Sequence, residues 1–215
     1  MDLVLGESPI HIFPVAALIF AALLPILWRR TRSIVALFCF VIFAIYLLLA
    51  LDKAFFPIVI SGPYADEMRQ IRQISSFINL IPFNFNLSEM PNLVFLQIYQ
   101  NILLTVPFGF GIHFFVSLRA RQVVWLALAM GVGIEAVQAI ISLLLRYPYR
   151  VIDVNDMLLN GLGVIIGYSL FRIFAWMFVR AARWLGFYQW TPAAYVYEVT
   201  SRADHRSSRA DHGTQ

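Results

Sequence analysis

Ser33–Leu51 reads SIVALFCFVIFAIYLLLAL, an apolar run without a charged side chain. A bilayer's hydrocarbon core is about 30 Å thick, and a helix rising about 1.5 Å per residue crosses it in about 20 apolar residues. This run has that length and predicts a membrane-spanning helix. Working outward, the pattern repeats. Ile10–Trp28 is a span containing Pro14 and Pro25, kinks that a bundle tolerates when neighbours satisfy the freed carbonyls. Leu96–Ser117 is less apolar, with Asn101, Thr105, Pro107 and His113 inside it. Val123–Leu145 contains Glu135 and Gln138, and Ile152–Val179 contains Asp153, Asp156 and Asn160. The expected fold is all-α, a polytopic transmembrane helical bundle of about five spans.

Composition agrees. Of 215 residues, 60% are hydrophobic and 13% charged, against roughly 25% charged in soluble domains. The formal charge of +4 does not point to nucleic acid, because the basic residues form short clusters between spans rather than one basic face. Cys39 is the single cysteine and lies in an apolar run, so it forms no internal disulfide and reads as filler.

Lys and Arg placement predicts orientation. Arg29, Arg30, Arg32, Arg119, Arg121, Arg180 and Arg183 fall on one side, which is assigned to the cytoplasm. Lys53, Arg69, Arg72, Arg146, Arg150 and most of the acids fall on the other. The N-terminus is then outside and the C-terminus cytoplasmic. Asp2 and Glu7 precede the first span, which reads as a retained anchor rather than a cleaved leader. Residues 1–186 form the membrane domain and 187–215 a polar cytoplasmic tail, expected to be disordered. The tail carries SRADH twice, a string too short to build a structural repeat. Between spans two and three, Tyr64–Ile78 places Met68, Ile71, Ile74, Phe77 and Ile78 near one helical face. Two readings stay open for it: an interfacial helix on the outer surface, or a loop helix packed on the bundle.

The polar residues inside the spans carry the functional expectation. An ionisable group at mid-membrane costs about 2.5–3.5 kcal/mol on insertion scales. Glu135 lies roughly 18 Å into its span at 1.5 Å per residue. Gln138 and Ser142 follow it on one helical face, and Asp153, Asp156 and Asn160 share a face of the next helix. The short turn Arg146–Arg150 makes the two helices antiparallel neighbours. Counting inward from that turn places Glu135 level with Asn160. Arg150 then stands at the mouth of a pocket that Asn101 and Thr105 complete. Gly163 and Gly167 form a small-xxx-small pair for close helix approach. Interhelical hydrogen bonding is the bland alternative for Asn101, Thr105, Asn160 and His113, and snorkelling for Arg172. Three acids and an arginine on one hairpin exceed what such bonding requires.

These residues also carry a resemblance. The stretches Asn79-Leu-Ile-Pro-Phe83, Asn101-Ile-Leu-Leu-Thr-Val-Pro-Phe-Gly-Phe110, Glu135-Ala-Val-Gln138 and Arg150-Val-Ile-Asp-Val-Asn-Asp-Met-Leu-Leu-Asn-Gly161 resemble the VanZ-like family over about residues 78–168. The motif R-x-x-D-x-x-D-x-x-x-N after a helix with E-x-x-Q is the specific part, and Asn155 falls in its variable spacer. The resemblance implies a multi-pass protein of the bacterial cytoplasmic membrane. It also implies a link to the cell envelope, since the family is named for a protein giving low-level resistance to the glycopeptide teicoplanin.

Three functions fit this pattern. The first is an enzyme acting on a phosphate-bearing lipid or a lipid-linked envelope precursor. In it Arg150 holds the phosphate, and Gln138, Asn160, Asn101 and Thr105 line the substrate site. Glu135, Asp153 and Asp156 are the catalytic candidates, with Glu135 a proton donor and the two aspartates a candidate pair for a divalent cation such as Mg²⁺. The second is a non-catalytic binder of a glycopeptide or cell-wall precursor. The third, carried least far by the residues, is a small proton-coupled carrier.

Overall fold

The computed structural model describes residues 13–70, 77–85, 91–187 and 193–202. It is a helical membrane protein. The helices up to residue 185 are, in order, α1 (Phe13–Thr31), α2 (Ile34–Phe55), the short α3 (Pro63–Arg69), α4 (Pro91–Gly111), α5 (Ala120–Leu145) and α6 (Val154–Leu185). Among the described residues, four helices are long and apolar enough to cross a membrane: α2, α4 with its 3₁₀ extension to Phe114, α5 and α6. Five spans were expected. The first coincides with α1, which is 19 residues long, ends in Arg29 and Arg30, and is not one of the four.

In hydrocarbon every backbone polar group must find its partner inside the protein, which favours uninterrupted helices. Local signals set their ends. The Ser33 side chain accepts from the Ala36 amide at the start of α2, and the Asp153 side chain accepts from the Asn155 amide at the start of α6. Gly186 in the left-handed conformation (φ 71°) closes α6.

α6 is the central post, packed against α4 and α5. Glycines set these seams. A Cβ on Gly163 would meet Thr105 Oγ1 and the Ile102 carbonyl of α4, and one on Gly167 would meet the Val106 carbonyl. Gly109 of α4 stands against Val164 in turn, and Gly131 of α5 against Met157. The small-residue pair read from the sequence therefore marks where α4 crosses α6. α2 closes on α4 through Phe43, whose ring stacks on that of Phe108 with centroids 6.1 Å apart.

The register of α5 against α6 differs from the symmetric count. Gly131 lies against Met157, and Gly161 lies 3.2 Å (as a Cβ) from the Ala127 carbonyl. Glu135 therefore lies level with Asp153, not with Asn160. The reason is the form of the return. After Arg146 (φ 61°) ends α5, the chain runs back without helix until Val154. An extended chain advances about 3.3 Å per residue against 1.5 Å in a helix, so a few residues cover the depth that ten helical residues of α5 climbed. α6 thus begins inside the protein, below the C-terminal end of α5.

A two-residue parallel ladder anchors that start: Ile78 pairs with Ile152 and Asn79 with Asp153. The stretch expected as a helix over 64–78 is α3 followed by a turn at Gln70, and residues 71–76 lie outside the described residues. The described part packs on the bundle, with Ala65 buried against Leu145 and Tyr147. A helix also runs over 193–202, inside the expected disordered tail. Its Tyr195 hydroxyl donates to the Phe114 carbonyl at 2.6 Å and Thr200 is fully buried. The polar residues further along had masked this locally apolar AAYVYEVT segment. The second SRADH copy lies outside the described residues.

Candidate functional site

One cavity of about 400 Å³ opens where the C-terminal end of α2, the N-terminal half of α4, the C-terminal half of α5 and the start of α6 meet. Its wall includes Glu135, Gln138, Arg150, Asp156, Asn160 and Asn101. Six of the eight residues singled out from the sequence thus share one space. Asp153 and Thr105 do not line it.

Glu135 is 2% exposed. Its Oε2 accepts the Asp153 backbone N–H at 3.1 Å, which is an otherwise unpaired donor at the mouth of α6. Its Oε1 takes no hydrogen bond among the described residues. Asp156 stands on the first turn of α6. Its Oδ1 accepts from both Gln97 Nε2 (2.9 Å) and Asn101 Nδ2 (2.5 Å). Two amides converging on one oxygen fix the carboxylate, and Oδ2 has no partner among the described residues. Asn160, one turn deeper and 1% exposed, has its Oδ1 buried without a hydrogen bond. Gln138 donates to the Ala54 carbonyl at 2.8 Å and so ties α5 to α2.

Arg150 is held from three directions. Its Nε donates to the Tyr149 hydroxyl at 3.2 Å, and its Nη2 reaches the Lys53 and Phe56 carbonyls at 3.2 and 3.3 Å. The Tyr149 hydroxyl in turn donates to the Phe55 carbonyl at 2.6 Å, and burial pushes that phenol's pKa up from its ordinary value. The guanidinium is aimed but not neutralised: among the described residues no carboxylate lies within ion-pair distance of it. Lys53 adds a second positive charge to the wall.

Asp153 has another place. Its Oδ1 accepts the Asn155 amide at 2.8 Å and Asn79 Nδ2 at 3.1 Å. It caps α6 and holds the Asn79 loop, and its backbone orients Glu135. Asp153 therefore does not line the cavity that Asp156 lines. Among the described residues, no group of three His, Cys, Asp or Glu side chains could hold a metal. Thr105 is a strut, its buried hydroxyl donating to the Asn160 carbonyl at 2.6 Å. His113 lies at the other end of the bundle, stacked on Phe171 with centroids 4.8 Å apart.

Three residues that the sequence reading passed over matter here. Gln97 lies four residues before Asn101, so helical spacing alone puts the two amides on one face. Lys53 stands beside Asp52 in the last turn of α2, at the level of the cavity. Asn155, placed in a spacer, is 1% exposed, and its Oδ1 accepts the Phe83 amide at 2.6 Å. It clips the Asn79–Phe83 loop to α6, which accounts physically for two separated motif stretches.

The sequence model described as VanZ/LLP1 matches residues 43–175, more than half of the chain and all of the cavity's wall. No curated protein and no solved structure matches the chain.

Proposed function

The chain belongs to the VanZ/LLP1 family, and from that premise we propose that its polar cavity takes the head group of a phosphate-bearing lipid or lipid-linked envelope precursor at the outer leaflet of the bacterial cytoplasmic membrane. The orientation follows from the basic residues clustered at the opposite end of the bundle. Arg150 grips the phosphate through the face of its guanidinium not used by Tyr149, Lys53 and Phe56. Asn101 and Gln97 hold Asp156 in place, Asn160 and Gln138 contact the polar remainder of the head group, and Glu135 and Asp156 handle its protons.

One observation carries this reading: Glu135, Asp156, Asn160 and Arg150 line one space, and no ion pair joins them among the described residues. Unpaired charge is expensive inside a membrane protein and is kept where a ligand completes it. A second reading, a non-catalytic binder of a glycopeptide or cell-wall precursor, is favoured by another observation. Among the described residues the wall holds no Ser, Thr, Cys or His that could serve as nucleophile. Catalysis would then require water activated by a carboxylate.

Purified protein in nanodiscs, offered phospholipids and undecaprenyl phosphates with and without Mg²⁺, separates these readings. Turnover lost in Glu135→Gln and Asp156→Asn establishes the enzyme. Binding without turnover, surviving both substitutions but lost in Arg150→Met, establishes the binder. Neither turnover nor binding removes the head-group reading.

A further inference from the structure

A second cavity of about 300 Å³ lies between α2, α4 and α5, deeper toward the middle of the bundle. It shares Ala54, Leu104 and Ile134 with the polar cavity, so the two spaces abut across these three side chains. Its wall is hydrocarbon. The two hydroxyls that reach it are turned away: Tyr46 donates to the Leu104 carbonyl at 2.5 Å, and Thr105 donates to the Asn160 carbonyl at 2.6 Å. Gly133 lines this groove, and a Cβ placed there meets nothing within 4 Å. That sets it apart from Gly109, Gly163 and Gly167, each of which stands against backbone.

We infer that this groove holds one hydrocarbon tail of the same molecule whose phosphate head group occupies the polar cavity, so that the ligand is an amphiphile received whole rather than a soluble phosphate ester. The inference rests on the head-group reading of the polar cavity. The outward faces of the helices meet membrane lipid as any span does. This groove differs because it runs into a cavity bearing Arg150 and two carboxylates, and a polar compartment joined to an apolar one matches an amphiphile's two halves. Each volume falls in the range of small-molecule pockets, roughly 300–1,000 Å³. The tail lies toward mid-membrane and the head toward the end where α2 and α5 finish, the direction in which a membrane lipid is oriented.

Inorganic phosphate and ethyl, hexyl and decyl phosphate are the probes, measured for binding to the full-length protein in nanodiscs. Wild type is compared with Gly133→Phe and Ala129→Phe, which fill the groove from one face of α5, and thermal unfolding reports whether each variant is folded. Partitioning of the esters into the bilayer is common to all three proteins and cancels in the comparison. The expected result is affinity rising with chain length in wild type. Both filled variants lose that gain, by roughly tenfold or more for a few methylenes no longer buried, while inorganic phosphate binds all three alike. Equal loss of chain-length dependence in folded Gly133→Phe and Ala129→Phe supports the groove even if one of them binds inorganic phosphate less well. If chain length is read identically by wild type and both filled variants, the tail site is overturned and the head-group site stands. If none of the probes, inorganic phosphate included, binds wild type, the head-group reading falls and the tail site falls with it.

Discussion

The seam between α4 and α6 and the cavity above it both enclose polar groups, used in opposite ways. In the seam, the Thr105 hydroxyl is bonded to a carbonyl of α6, and glycines bring the two backbones together. In the cavity, Glu135 and Asp156 each offer an oxygen without a partner among the described residues, and Asn160 Oδ1 is buried unbonded. Asn160 belongs to both regions: its backbone carbonyl closes the seam and its side chain faces the cavity. Sealed polar groups hold helices together, whereas open ones in a membrane protein are costly and mark where something binds. The motif Arg150–Asn160 divides along this line, with Asp153 and Asn155 building the start of α6 and Arg150, Asp156 and Asn160 facing the space.

The sharpest way to break the contrast is to overfill the seam. Gly163→Leu or Gly167→Leu drives a side chain into the α4 backbone and should cost about 3 kcal/mol or more, seen as loss of folded protein in detergent melts. Gly133→Leu, on the same scaffold but facing open space, should melt like wild type. Next in size is the helix cap. Asp153→Ala should destabilise by about 1–2 kcal/mol through the lost cap, and Asp153→Ser should restore most of it together with function. Asp156→Asn should do the reverse, leaving the melt nearly unchanged and removing turnover of the phosphate lipid. If Asp153→Ser folds normally but binds nothing, Asp153 belongs with the cavity after all. Thr105→Val should cost about 1 kcal/mol for its buried hydrogen bond and leave inorganic phosphate binding unaltered, since Thr105 does not line the polar cavity.

The smallest effect concerns the helix over 193–202. Burial, then the neighbouring Cys39 and Glu198, push the Tyr195 phenol up to about 12. The unfolded phenol ionises near pH 10. The Tyr195 contribution is therefore fully present below about pH 10 and is lost as pH rises toward 12. Amide exchange in this segment should quicken over that window and show no such step in Tyr195→Phe.

The spans were legible because runs such as Ser33–Leu51 have one physical explanation at that length and apolarity. Glu135, Asp156, Asn160, Gln138, Arg150 and Asn101 were legible as one group because a short turn and helical spacing bring them to one side. The register was not, since counting residues cannot say that 146–153 returns extended rather than coiled. That Asp153 caps α6 and does not line the cavity was hidden for the same reason: whether an aspartate near a helix start caps it or faces the space beyond depends on where the helix begins, and α6 begins at Val154. Gln97 was hidden because the third span was begun at Leu96, whereas α4 begins at Pro91.

A bilayer-embedded structure with an added phosphate lipid, resolved well enough to see ligand, bears most directly on whether those unsatisfied oxygens and the guanidinium serve a guest. Density bridging Arg150 to the Glu135 and Asp156 carboxylates is the predicted result. A well-ordered cavity in which Arg150 folds back to pair with Glu135 or Asp156, with lipid bound elsewhere, would contradict it.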